Sequence, residues 1–159
     1  MNKVEGQETV DYIIEHKKRV QKRLLTVANE LIDRAKHHDD SKLEDPELSG
    51  WVEMDKEARY KYGTPEYQRK LNKWKWLLRL HWKNNRHHPE YFDNFVLGKE
   101  TERDLLDLLE MVADWISYKD DLRYSEASEL VKKQCERYGF SEEISDLLLN
   151  TLKNYYVEF

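Results

Sequence analysis

The sequence predicts an all-α protein, a single-domain helical bundle of five to six helices spanning residues 1–159. Three observations carry that reading. Apolar residues recur three and four apart over long stretches. Only five Gly and three Pro punctuate the chain, too few for a run of strands and hairpins. Five Trp and ten Tyr supply large anchors for a core, which a disordered chain would lack.

The first helix is predicted over about Thr9–Lys36, where Ile13, Val20, Leu24, Val27, Leu31 and Ala35 form a stripe with no Gly or Pro inside it. His38 falls in phase with that stripe and is expected on the core side at the helix end. His16 lies at its edge, as a boundary residue would. Asp45-Pro46 resembles an N-cap followed by proline at the first helical position. It opens a modest helix to about Tyr60, with Gly63 as its stop. Thr64-Pro65 repeats the start signal. The helix that follows carries Leu71, Trp74, Leu78, His81, Asn85 and His88, alternately three and four apart. That spacing puts three polar residues on the face the apolar ones bury, with His87 on the neighbouring face. Pro89 disfavours helix at His88 and is expected to end it. Thr101-Glu102-Arg103-Asp104 reads as a capped start for Leu105–Tyr118. On that helix Asp107, Glu110 and Asp114 fall together opposite a wide apolar arc, as on a solvated face. Two more helices follow, about Glu126–Tyr138 stopped by Gly139, and Glu142–Tyr155 capped by Ser141.

Charge and cysteine usage narrow the function. A net charge of −5 argues against a surface that coats long nucleic acid. It leaves room for a local basic pocket that takes one small phosphorylated ligand. Cys135 is the sole cysteine, so no internal disulfide forms and a reducing cytoplasmic setting is expected. Met1–Val10 has no apolar run of signal-peptide length, and no later run could span a bilayer, so no membrane partner is expected. Aromatics on the outside of a helical bundle are compatible with a homodimer.

Five of the six histidines lie in two short polar segments, His37-His38-Asp39-Asp40-Ser41-Lys42 and His81–Glu90. The imidazole of His38 and the carboxylate of Asp39, side by side at a helix end, suit a divalent ion such as Mn, Fe or Zn. Lys42, three residues after Asp39, could meet a phosphoryl oxygen as a point charge. The plain alternative is a solvated loop. His81 and His88 are seven residues apart, two helical turns, so their azimuths nearly match and they stand about 10 Å apart along the axis. That is too far for one ion unless the last turn is distorted. It suits a two-metal centre, whose ions sit roughly 3.5–4 Å apart, or one ion with a ligand-binding histidine. Core-facing histidines bonded to backbone or carboxylate are the alternative. Burying three such polar groups without partners would cost several kcal/mol, so something must satisfy them. Glu90, close behind, could also ligate. Periodicity gives Glu110 and Asp114 no more than a solvated stripe.

The order of these residues resembles the HD-domain metal-dependent phosphohydrolase superfamily, in particular its two-metal phosphodiesterases: His38-Asp39 with Lys42, then His81, His87-His88 with Glu90, and Asp114. More closely, the chain resembles an uncharacterised family of small phage and bacterial proteins, from about His16 through His38-Asp39-Asp40-Ser41-Lys42, His81–Glu90 and Glu110–Trp115 to Asn150-Thr151. The resemblance implies an HD-like fold with one or two divalent ions (Mn, Fe, Zn or Mg) held by His38, Asp39, His81, His88 or His87, and Asp114. It implies a phosphohydrolase or phosphodiesterase acting on a nucleotide or small phosphoester, with Lys42 and His87 in catalytic roles. The superfamily also takes a histidine from its first helix, for which His16 is the only candidate. On one continuous helix His16 and His38 would be roughly 33 Å apart and could not share an ion. This departure leaves the two-metal set short of a ligand, with Glu44, Glu110 or water as substitutes. It also motivates a second expectation, a non-catalytic binding module that sequesters a ligand or contacts a host protein. Some HD-type sites hold a di-iron pair, so oxidative chemistry is a third.

Overall fold

The structure, a computed structural model, describes residues 3–95, 102–119 and 121–156. Among these residues it is all-helical. The elements are α1 (Lys3–His37), a 3-10 turn (Asp40–Leu43), α2 (Glu47–Asp55), α3 (Pro65–Lys73), α4 (Lys75–Asn84), α5 (Pro89–Phe95), α6 (Leu105–Ile116), α7 (Tyr124–Arg137) and α8 (Glu142–Tyr155). The chain divides into two compact units, Met1–His38 and Asp39–Phe159. No described helix is long and apolar enough to cross a membrane.

The first unit is α1, continuous from Lys3 to His37. Its apolar stripe does not enter a core as periodicity implied: Ile13, Val20, Leu24 and Val27 are exposed. A lone helix has nothing of its own to bury that face against. Asp39, immediately before the 3-10 turn, takes left-handed backbone angles (φ 62°, ψ 15°).

In the second unit the helices begin and end largely where local chemistry says they should. Thr64 caps α3 by accepting from the Tyr67 N–H, with Pro65 at the first position. Asp104 and Asp107 form a reciprocal capping box at the start of α6, while Thr101 lies outside the described residues. Ser141 caps α8, and Gly139 follows α7 with φ 67°, a value that favours glycine. Asp45 does not cap through its own position. Its carboxylate accepts from the backbone N–H and hydroxyl of Ser49, one turn into α2, which ends at Asp55 rather than near Tyr60.

The helix expected from Pro65 to His88 is broken twice. Trp74 leaves helical angles and separates α3 from α4. Asn85 is extended and ends α4 before the two histidines. Pro89 does not stop a helix but starts one, because its missing N–H is no loss at the first position of α5. His87 and His88 therefore lie in a loop between helices.

Phe92 of α5, Leu108, Met111, Val112 and Trp115 of α6, Ala127, Val131 and Cys135 of α7, and Leu148 and Leu152 of α8 form the core. Helices α2 and α4 pack closely beside one another. A Cβ at Gly50 would lie 2.7 Å from Leu77 Cδ1 and 2.9 Å from Trp76 Cη2. Only the missing side chain of Gly50 permits this approach. It brings Glu47, one turn before Gly50, against His81, one turn after Leu77.

Candidate metal centre

Four segments of the second unit converge on one small volume. Asp39 precedes the 3-10 turn, His81 sits in the last turn of α4, His87 and His88 occupy the α4–α5 loop, and Glu110 and Asp114 lie one turn apart on α6. Asp39, His81, His87 and His88 each offer one ligand atom, all within 4.8 Å of one another. Asp39, His87 and Asp114 likewise offer atoms within 4.8 Å. His81 and His87 are buried and Asp39, His88 and Asp114 half-buried.

The break at Asn85 makes this possible. A straight helix would hold the His81 and His88 rings two turns apart. Here their Nε2 atoms are 2.8 Å apart. The distortion needed for both to reach one ion is thus present. His87, expected on a neighbouring face, joins the same cluster: its ring centroid lies 4.3 Å from that of His88. Its Nε2 lies 3.4 Å from Asp39 Oδ1, and His81 Nε2 lies 3.3 Å from the same oxygen.

Electrostatics follow from burial and these neighbours. Burial alone would raise the Asp39 carboxyl, but the neighbouring His87 ring and the ammonium of Lys42 outweigh it and hold the group well below the usual carboxylate range. Lys42 Nζ sits 2.6 Å from Asp39 Oδ2. Burial pushes His81 down, helped by the Lys42 charge and opposed by Asp39 and Glu47. His88 is pushed down to about 3, first by burial and then by the charges of His87 and His81. It is therefore neutral near pH 7, as a ligating imidazole must be.

Supporting residues fix the rings. The carboxylate of Glu47, 1% exposed, accepts from the Ser41 hydroxyl (3.1 Å) and the Asn84 amide (2.8 Å) and lies 3.0 Å from His81 Nδ1. Asn85 donates to Ser41 Oγ and to the His81 carbonyl, both at 2.8 Å. Glu110 Oε1 lies 3.2 Å from His87 Nδ1. The loop is anchored by Arg86, whose Nε and Nη2 donate to the two oxygens of Asp107 at 3.1 and 2.8 Å. Asp107 is fully buried.

The α6 stripe expected to face water thus faces the histidines and their loop instead. Periodicity showed that Asp107, Glu110 and Asp114 share a side, not what covers it. Glu90 turns away and accepts from the Tyr138 hydroxyl at 2.9 Å. Glu44 is exposed. His38 is the last residue of the first unit, one peptide bond before Asp39. His16 is exposed on unbroken α1, about 33 Å along the axis from His38, so those two cannot share an ion. Glu47 escaped the sequence reading. The one signal for it was Gly50, a lone glycine inside a helical stretch, which marks a close backbone approach.

Across residues 5–154 the chain matches a family of unknown function, DUF5662. No curated protein and no solved structure matches it. With nearly the whole length covered, the chain belongs to the DUF5662 family.

Proposed function

We propose that the protein is a divalent-metal-dependent phosphohydrolase or phosphodiesterase acting on a nucleotide or another small phosphoester. The observation that carries this reading is the convergence of Asp39, His81, His87 and His88 on a space one ion can share. The donor set fits such an ion. Imidazole nitrogens beside carboxylate oxygens suit Mn, Fe or Zn better than Mg, which prefers an all-oxygen shell. His81, His88 and Asp39 would hold it, and Asp39, His87 and Asp114 mark room for a second ion. A bound divalent ion supplies Lewis acidity toward a phosphoryl oxygen and acidifies water.

The remaining roles belong to side chains. Lys42, anchored by Asp39, offers an ammonium to a phosphoryl oxygen as its charge develops. Its side chain is 38% exposed and so can reach a ligand. His87 either completes the ligand set or stabilises the same charge. Trp51 stands edge-on to His81 at 5.6 Å, with Lys42 Nζ 5.4 Å from its ring centre. A base could stack there while Lys42 meets its phosphate.

One observation favours a second reading, a metal-binding module without catalysis: His16, on α1, cannot join His38 at one ion. Purification without chelator, metal analysis, and assay of nucleotides and bis(p-nitrophenyl) phosphate with Mn separate the two. The enzyme reading expects bound metal, Mn-dependent turnover, and loss of both in Asp39→Asn. Metal without turnover supports the binding module. Protein that neither carries nor takes up Mn, Fe or Zn ends both.

A further inference from the structure

His81 and His87 enter the candidate centre in the same way, although one belongs to α4 and the other to the loop before α5. Each turns Nδ1 toward a largely buried carboxylate on another helix. Glu47 Oε2 of α2 lies 3.0 Å from His81, and Glu110 Oε1 of α6 lies 3.2 Å from His87. Each also turns Nε2 toward Asp39 Oδ1, at 3.3 and 3.4 Å. An ionised carboxylate only accepts hydrogen bonds. A neutral imidazole has one proton for these two acceptors, and in both rings the shorter contact is the one at Nδ1, 3.0 against 3.3 Å at His81 and 3.2 against 3.4 Å at His87, so the proton sits on Nδ1 and Nε2 keeps its lone pair.

His81 Nε2 also lies 2.8 Å from His88 Nε2, where His88 is then the donor, and at His81 Nδ1 the hydrogen-bond accounting closes. Asn85 Nδ2 also lies 3.0 Å from His81 Nδ1. Both of its hydrogens, however, are directed elsewhere, to Ser41 Oγ and to the His81 carbonyl. The Nδ1 proton is left to Glu47. Glu47 is itself held by Ser41 on one oxygen and Asn84 on the other, so its position does not depend on the histidine alone. The chain Asn85 to Ser41 to Glu47, with His81 donating from the other side, is a connected polar network in a buried place. Such networks fix one arrangement when every member is satisfied.

We propose that Glu47 and Glu110 are positioning residues that keep a ring proton of His81 and His87 on Nδ1 and so reserve both Nε2 atoms for a cation. The inference rests on the metal-centre reading and deepens it. It names the two carboxylates that do not ligate but decide which nitrogen does. An imidazole with its proton on Nε2 would turn an N–H toward the ion, and the ligand would be lost. Carboxylates behind ligating histidines also make the imidazole a better donor, and their removal typically costs about 10–100-fold in metal affinity.

Ring 15N spectra of the histidines give the direct test. In metal-free wild-type protein His81 is expected as the Nδ1–H form with Nε2 as acceptor. With Zn bound, His81 and His87 should both retain Nδ1–H and ligate through Nε2. In competition titrations with Zn, Glu47→Ala and Glu110→Ala should each weaken binding about 10–100-fold. Glu47→Gln and Glu110→Gln, which keep a carbonyl oxygen able to accept the Nδ1 proton, should recover most of that loss. Glu47→Ala leaves three donors without their acceptor, so its fold is checked by circular dichroism. Should it not fold, the wild-type spectra and the Glu110 variants decide. His81 protonated on Nε2 in the metal-free protein, ligation through Nδ1, or unchanged affinity in the alanine variants overturns the inference. Failure to bind Zn or Mn at all defeats the metal reading, while the metal-free His81 spectrum still decides the role of Glu47.

Discussion

Arg86→Ala probes the anchor of the histidine loop most directly. Asp107 is fully buried, and its carboxylate accepts two hydrogen bonds from the Arg86 guanidinium and one from the Asp104 backbone N–H at 2.9 Å. Removing Arg86 strips both charge-assisted bonds from a buried carboxylate. Hydrogen bonds to charged groups contribute about 1.5–3 kcal/mol each, and breaking a buried pair costs about 3–5 kcal/mol. Arg86 is 38% exposed, so water reaches part of the pair and the lower figure, about 3 kcal/mol, applies. For a chain of this size that loss lowers Tm by about 6–12 °C. Thermal unfolding followed by circular dichroism in chelator-treated protein measures it without a contribution from bound metal. Arg86→Lys keeps the charge but not the two-pronged geometry and should recover less than half of the loss. The Arg86→Ala, Asp107→Ala double variant should fall short of the sum of the singles, because each single leaves the other charge stranded. A change in Tm below about 2 °C for Arg86→Ala would refute the reasoning.

Gly50→Ala puts a methyl group into Leu77 and Trp76; it should cost about 1–3 kcal/mol and weaken Zn binding by moving Glu47 off His81, measured by melting and by competition titration. The pH dependence of the metal-free protein has a definite sign. The folded His88 stays neutral down to about 3, facing His87, His81, Asp39 and Asp114, whereas the unfolded residue takes up its proton near 6.5. The contribution of neutral His88 is intact above that value and drains away as pH falls toward 3, by on the order of 4 kcal/mol. Asp39, with its carboxyl held low, adds a further loss below its ordinary value. Urea titrations at a series of pH values should show the fall, and His88→Gln should flatten it. Cys135, 2% exposed with its thiol pushed up by burial, should resist iodoacetamide in the native state and react only on unfolding, as mass spectrometry would show.

What the sequence disclosed was local. Helix α8 was readable because Ser141 caps it and its apolar spacing is regular; α6 was readable because Asp104 precedes a strong periodic run. The site demanded contacts between distant segments. Periodicity carried one helix through Trp74 and on to His88, because nothing in the spacing announces that Asn85 will become extended. That error hid the closeness of His81 and His88, though the need for a distorted last turn was visible. The acidic side of α6 was misread for the opposite reason, since a polar stripe looks the same whether water or histidines cover it. Asp114 entered the candidate set only through the order of motifs. Glu47 stood one turn into a short helix with no local mark of importance, and only packing at Gly50 brings it to His81.

The backbone at Asp39 carries a further consequence. With φ at 62°, a side chain with an ordinary Cβ costs about 1–2 kcal/mol there, a penalty that Asn, Asp and Gly largely escape. Two filters of unrelated origin therefore act on this one position. Main-chain shape favours three small residues, whereas the role proposed for Asp39 as an ion ligand requires an acid. Only aspartate meets both without that penalty, so lengthening the side chain to glutamate would carry a backbone cost of about 1–2 kcal/mol even though the headgroup is the same.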